Sequence, residues 1–253
     1  MPGDAWSDDL GHALIHGARP RRVVSLVPSL TEALATSAPD VLVGATDWCT
    51  QTAGLELPRV RGTKNPDLNA IAGLSPDVVL ANQEENRELD VRRLRERGID
   101  VWVTVTESVP QALTSLDRIF TDLLGRSRPD WLVESHGLWA ASAPIRGTAA
   151  IAIWRDPWMV VGRDTFAGDL LARLGLTNVY DDHADRYPTV TVPDIEQRHP
   201  DLVLLPDEPY VFTADDGPEA FALPTALVSG RLLTWYGPSL VEAHATLGAL
   251  LAH

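Results

Sequence analysis

Apolar residues in this chain gather in short runs bounded by turn residues, and between those runs they recur at helical spacing. Arg22–Val27 (RVVSLV), Val41–Ala45 (VLVGA), Asp77–Ala81 (DVVLA) and Val101–Val105 (VWVTV) are β-branched or aliphatic stretches. Such runs suit strands buried in a parallel sheet. Helices are predicted after Pro28, from Asn65–Pro66 with Asn as N-cap and Pro at N1, and over Glu88–Arg97, where Gly98 supplies the stop. Ser108–Leu124 reads as a helix ended by Gly125, and a second helix runs from Pro129 to about Ser142, with no strand between them. The alternation then resumes. A strand over Thr148–Trp154 leads to a helix over Thr165–Leu174 with Gly175 behind it, strands over Asp201–Leu205 and Thr225–Val228, and a closing helix from Pro238. Alternation of this kind predicts an α/β fold in two halves around a helical middle.

One segment occurs twice. Leu68–Glu84 reads LNAIAGLSPDVVLANQE and Val192–Glu208 reads VPDIEQRHPDLVLLPDE. At a constant offset Ile71 matches Ile195, Pro76-Asp77 matches Pro200-Asp201, Val79-Leu80 matches Val203-Leu204, and Glu84 matches Glu208. Each copy is a short helix, a Pro-Asp turn, a buried strand and an acidic strand end. An internal repeat of this length predicts two homologous lobes. The expected layout is an N-terminal α/β lobe over residues 20–107, a connecting helical segment over 108–143 and a C-terminal α/β lobe over 144–253. Ligands of open α/β sheets bind beyond the carboxyl ends of the strands, so both strand ends are expected to face one cleft.

Charge narrows the partners. With 35 acidic against 21 basic residues the formal net charge is −14, the wrong sign for nucleic acid or an anionic membrane. No stretch reaches the roughly 20 apolar residues that span a bilayer. Cys49 is the single cysteine, so no internal disulfide is expected. The first residues show no basic-then-apolar leader and no early cysteine to carry lipid, and the chain as written is expected to be cytoplasmic.

The runs RRVVSLVPSLTEAL, GTKNPDLNAIAGLSPDVVLANQEEN, RLRERGIDVWV, IWRDPWMVVGRDTFAGDLLARLG, YPTVTVPDIEQRHPDLVLLPDEPY and GRLLTWYGP carry a likeness to a known family. Through them the chain resembles the substrate-binding proteins of cobalamin and ferric-siderophore importers. Within these, VPSLTE and PDVVLA are the most specific runs, and WRDPWM and KNPDL point to a sub-branch whose members often lack signal peptides. The resemblance implies two Rossmann-like lobes joined by a helical backbone, with a small ligand in the cleft between them. The implied ligand is a corrinoid such as cobalamin or another metal–organic chelate, a siderophore or haem; no cofactor is required. Carried over residue by residue, ligand contacts fall on Trp48, Lys64, Asn65, Asn82 and Glu84 in the first lobe. In the second they fall on Trp154, Trp158, Tyr187, Trp235 and Tyr236. The resemblance also implies an ABC permease as partner, docked through a glutamate near a helix start on each lobe. Here those positions hold Asn69 and Pro193, with Asp67 and Asp194 nearby.

The residues themselves leave choices open. Eight Trp stand against four Phe and four Tyr, and indoles offer broad stacking faces with one N–H. Trp102 sits inside a strand and reads as core, whereas Trp48, Trp154, Trp158 and Trp235 occur beside Asp, Pro or Gly in turns. Arg155-Asp156 reads either as an anion clamp with a carboxylate, which places Arg155 among the expected ligand contacts, or as a self-paired turn. Of the seven histidines, His12 and His16 alone share helical i, i+4 spacing, with no third ligand in view, so no bare-metal site is predicted. There is no GxSxG elbow, P-loop or GxGxxG after a strand. No catalytic residue is assigned, and the alternative function is a cytosolic enzyme of specialised metabolism that reuses the same cleft.

Overall fold

The computed structural model describes residues 6–15 and 17–251. Its strands are β1 (Val23–Ser25), β2 (Leu42–Ala45), β3 (Arg61–Gly62), β4 (Asn65–Pro66), β5 (Val78–Asn82), β6 (Val101–Thr104), β7 (Gly147–Trp154), β8 (Met159–Val160), β9 (Leu176–Asn178), β10 (Leu202–Pro206) and β11 (Thr225–Val228). Its α-helices are α1 (Pro28–Ser37), α2 (Leu68–Gly73), α3 (Glu88–Glu96), α4 (Val109–Arg118), α5 (Asp130–Leu138), α6 (Phe166–Arg173), α7 (Val192–Gln197), α8 (Gly230–Thr234) and α9 (Ser239–Leu250). A π-helical turn, Ile119–Leu123, extends α4.

Two compact units result. The first comprises the described residues up to Thr106, Gln111–Val133 and Tyr236–Pro238; the second comprises Glu107–Pro110, Glu134–Trp235 and the described residues from Ser239 on. The first unit holds a parallel sheet in the order β2-β1-β5-β6. In the second, β7 pairs in parallel with β10 and β9, β11 pairs in parallel with β10, and β8 adds antiparallel to the end of β7. The α/β expectation is met with two separate parallel sheets.

The repeat is visible as matching parts. Ile71 of α2 and Ile195 of α7 are each fully buried, one in each unit's core. Asp77 accepts the backbone N–H groups of Arg21 and Arg22 at 2.7 and 2.9 Å. Asp201 accepts the N–H and hydroxyl of Thr148 at 2.8 and 2.9 Å. In both units, then, the Asp of the Pro-Asp turn fixes the lead-in of the neighbouring strand, β1 or β7. The offset persists into the next strand pair: Val79 faces Val101 and Val203 faces Thr225.

Two local readings change. The helix expected from Asn65–Pro66 starts at Leu68, because Asp67 is the cap and accepts from Asn69 and Ala70 N–H. Asn65 and Pro66 instead pair antiparallel with Arg61 and Gly62. The second middle helix ends at Leu138. Short strands β8 and β9 carry too few residues to show a period in the sequence.

Residues 6–15 form a non-helical strap along β6, so the spacing of His12 and His16 does not describe a helix face; His16 itself lies outside the described residues. Asp8, with its side chain fully buried, accepts from Val103 N–H and pairs with Arg95 at 2.7 Å. Asp9 donates its N–H to Val103 O, accepts from Val105 N–H, and pairs with Arg118. An edge strand that would expose unpaired backbone groups is thereby covered. Among the described residues no helix is long and apolar enough to cross a membrane.

Candidate functional site

In the first unit the loops after β2 and β5 carry the predicted residues. Ala45 ends β2, and the turn that follows is tied down from several sides. Arg59 donates to Thr46 O and Cys49 O at 2.8 and 2.9 Å, and Asp47 N–H donates to Arg61 O. Cys49 is buried between the Thr31 and Thr46 hydroxyls at 3.0 and 3.1 Å, and burial raises its thiol pKa, so it is an inert anchor rather than a nucleophile. On this fixed turn the Trp48 side chain is 67% exposed. A Cβ on Gly62 would lie 3.2 Å from the indole Nε1 and 2.5 Å from Asn65 Oδ1, so glycine lets Trp48 and Asn65 share one patch.

At the end of β5, Asn82 is 2% exposed and spends its amide inside the protein. Its Nδ2 donates to Thr104 Oγ1 and Thr106 Oγ1 at 3.2 and 3.0 Å. Its Oδ1 accepts from Glu84 and Glu85 N–H. Asn86 continues the network by accepting Asn82 N–H and donating to Thr63 O. Lys64 donates to Glu84 O. Tyr236 is buried in the same unit, its hydroxyl 3.4 Å from Glu85 Oε1. Burial, with the Glu85 carboxylate behind it, drives the Tyr236 pKa well above the usual phenol value. Asn82 and Tyr236 therefore hold the loop, while Trp48, Lys64 and Asn65 show its surface.

In the second unit, Trp154 ends β7 at 42% exposure and meets Tyr210 edge-on at 5.6 Å. Trp158 is stacked on Phe212 at 5.7 Å and met edge-on by Phe221 at 5.0 Å. The Arg155 guanidinium lies 5.5 Å from the Trp158 ring centre and is shared between Asp216 and Glu219. The hydrogen bond that Arg155 donates to Glu219 raises the Arg155 pKa and lowers that of Glu219. Arg155 thus pairs mainly with a distant loop; its neighbour Asp156 lies 3.9 Å away. Tyr187 is half-buried in its loop.

Glu208, just past β10, is half-buried, and its Oε1 has no hydrogen-bond partner among the described residues. Burial raises its pKa, against the opposing pull of a Trp235 hydrogen bond and the Arg231 charge. A Cβ on Gly230 would lie 2.3 Å from Glu208 Cγ and 2.7 Å from its carbonyl oxygen, so the backbone passes there because residue 230 is glycine. Trp235 beside it is 8% exposed.

The structure thus groups Trp48 with Asn65, Lys64 with Glu84, Trp154 with Arg155 and Trp158, and Trp235 with Glu208. Sequence reasoning missed Tyr210, Phe212, Asp216 and Glu219. The alternating aromatics of EPYVF directly after a strand were the available signal. Among the described residues no three His, Cys, Asp or Glu side chains are grouped as a metal ion requires.

No protein-family profile matches the chain. It is 21% identical over 192 residues to the vitamin B12-binding protein of Vibrio cholerae serotype O1, covering 72% of this chain and 69% of that one. To the vitamin B12-binding protein of Pectobacterium atrosepticum it is 23% identical over 203 residues, covering 74% and 72%. Among solved structures, the periplasmic vitamin B12 binding protein BtuF of Vibrio cholerae matches with a TM-score of 0.74 at 17% identity, over 91% of this chain and 96% of that one. The periplasmic heme-binding protein BhuT, solved with two hemes, gives 0.70 at 21%, over 90% and 96%. CeuE of Helicobacter pylori gives 0.81 at 14%, over 98% and 87%. The chain is therefore a distant homologue of the vitamin B12-binding proteins and has the two-sheet α/β fold of periplasmic binding proteins.

Proposed function

We propose that this distant homologue of vitamin B12-binding proteins is a substrate-binding protein for a flat metal–organic chelate of the cobalamin or heme class. The carrying observation is Trp48, an exposed indole on a turn fixed by Arg59, Thr31 and Thr46 beyond the carboxyl end of β2. A stacking face that is already ordered loses little entropy on binding. Trp154 offers a second partly exposed indole at the carboxyl end of β7. Relatives named for vitamin B12 and for heme support the ligand class.

Titration with cobalamin or hemin is expected to quench tryptophan fluorescence saturably. Trp48→Ala is expected to weaken binding by about 1–3 kcal/mol, the range for a lost stacked aromatic. Unchanged affinity in that variant, or no saturable binding of either chelate, defeats the proposal.

A permease contact at the two helix starts meets an obstacle. Asp67 and Asp194 are turned back onto their own helices, where hydrogen bonds from Ala70 N–H and from Thr191 lower their pKa values. A docking cation would have to draw those carboxylates off their caps. A second functional reading, an enzyme using the same loops, rests on Glu208, since a carboxyl of raised pKa at a strand end suits acid–base work. Mass spectrometry of cobalamin after prolonged incubation separates the two, because a receptor returns its ligand unchanged.

A further inference from the structure

The opposite edge of the first sheet carries a second feature. At the amino ends of β1 and β2, the lead-in residues Arg19–Arg21, the turn Pro39–Val41 and the residues Leu124 and Arg126 enclose a recess of about 440 Å³. Pro20, Val41 and Leu124 are buried and give it an apolar floor. Arg19, Arg21, Arg126 and Asp40 form its rim. In a chain whose overall charge is strongly negative, three guanidiniums facing one carboxylate form a local reversal of sign.

These arginines differ from the neighbouring Arg22 and Arg128, which are spent on the Leu74 and Ser75 carbonyls and on Asp117. Among the described residues the Arg21 side chain makes no hydrogen bond or ion pair; its backbone N–H alone is held, by Asp77. Arg126 uses one nitrogen on Asp40. Arg19 is positioned by a glycine: its Nη1 donates to Gly125 O at 3.1 Å, and a Cβ at residue 125 would fall 1.8 Å from that same nitrogen. Gly125 also has φ +62°, a region that other residues rarely adopt.

We propose that this recess binds a small phosphorylated compound with an apolar or aromatic body, of the size of a nucleoside diphosphate. Planar guanidinium forks match phosphate oxygens in pairs. Three of them less one carboxylate leave about two positive charges, which suits a phosphoryl dianion better than a single carboxylate. The apolar floor has no role toward a bare anion and accommodates the body of the ligand. The site is separate from the strand-end loops and does not depend on how they function.

The test uses the whole chain at low ionic strength, with ADP, pyrophosphate and adenosine as probes in calorimetry. ADP is expected to bind saturably at one site, pyrophosphate more weakly and adenosine not at all, with affinity falling as salt rises. Arg21→Ala, which removes no internal side-chain bond, is expected to weaken ADP binding about tenfold, and Arg126→Ala by a similar factor. Trp48→Ala is expected to leave it unchanged. Absence of saturable ADP binding, or ADP affinity that survives Arg21→Ala with the variant's melting curve intact, overturns the proposal. Equal affinity for pyrophosphate and ADP overturns the part that assigns the floor to a ligand body.

Discussion

In the first unit the helix–Pro-Asp–strand segment ends on Glu84, whose N–H, with that of Glu85, is held by Asn82 Oδ1, while the Asn82 amide nitrogen donates to Thr104 and Thr106. In the second unit the matching segment ends on Glu208, whose buried Oε1 has no partner among the described residues and which is followed by the aromatic run Tyr210–Phe212. The parts that set the strand, a buried Ile and an Asp that receives the neighbouring strand's lead-in, are alike in both. Strand placement tolerates little variation because the core and the ladder fix it. Loops past the strand ends are free of both demands, and there the units diverge in chemistry.

The largest effect tests the likeness itself. Ile71→Ala and Ile195→Ala each empty a fully buried position and are expected to cost about 2–5 kcal/mol in chemical denaturation. A large cost in one and a negligible cost in the other breaks the equivalence of the two segments. The tryptophans sharpen the difference. Trp158→Ala removes the partner of Phe212, Phe221 and Arg155 and is expected to lower stability by about 1–3 kcal/mol. Trp48→Ala is expected to leave the melting temperature unchanged, and a marked fall would make Trp48 a packing residue.

Glu208 gives a smaller effect with a defined sign. Its folded pKa is raised, so burial penalises the ionised form. That penalty is complete above the folded pKa and vanishes as the pH falls below the ordinary glutamate value. Glu208→Gln is therefore expected to stabilise the protein by about 0.5–1 kcal/mol at neutral pH, after allowance for partial exposure, and by nothing in acid. A loss of stability at neutral pH in this variant would show the carboxylate to be satisfied. Asp201 has the opposite sign and the smallest effect. Hydrogen bonds from Thr148 lower its pKa, so its contribution is present above the ordinary carboxylate pKa and lost as the pH falls through the folded value. Asp201→Asn is expected to flatten the acid limb of a stability–pH curve, and an unchanged limb removes Asp201 from the account.

How much of this the sequence showed depends on the range of the interaction. The Pro-Asp strands, the Gly98 and Gly175 stops and the helix running to Leu124 are decided by neighbours within a few residues, and the structure has them at those places. Trp102 reads as core because its strand is apolar throughout, and it is fully buried. Asn65 was the wrong cap because Asp67, two residues on, competes for the same role and wins once Asn65 pairs with Gly62. The partners of Arg155 lie 61 and 64 residues away, beyond any local pattern. The same distance problem hid the degree to which Trp48 is exposed and Trp235 covered.

The strap over β6 sets a timetable. Asp8 and Asp9 are synthesised well before their partners Arg95, Val103, Val105 and Arg118. On a ribosome Asp8 waits through 87 residues of translation for Arg95, and Asp9 through 109 for Arg118. The first unit waits longer still for Tyr236, which reaches Ser29 and Glu85 across 207 and 151 residues. Contacts that span so much sequence form late and slowly. The half of the molecule translated first therefore stays incomplete until Tyr236 has been made.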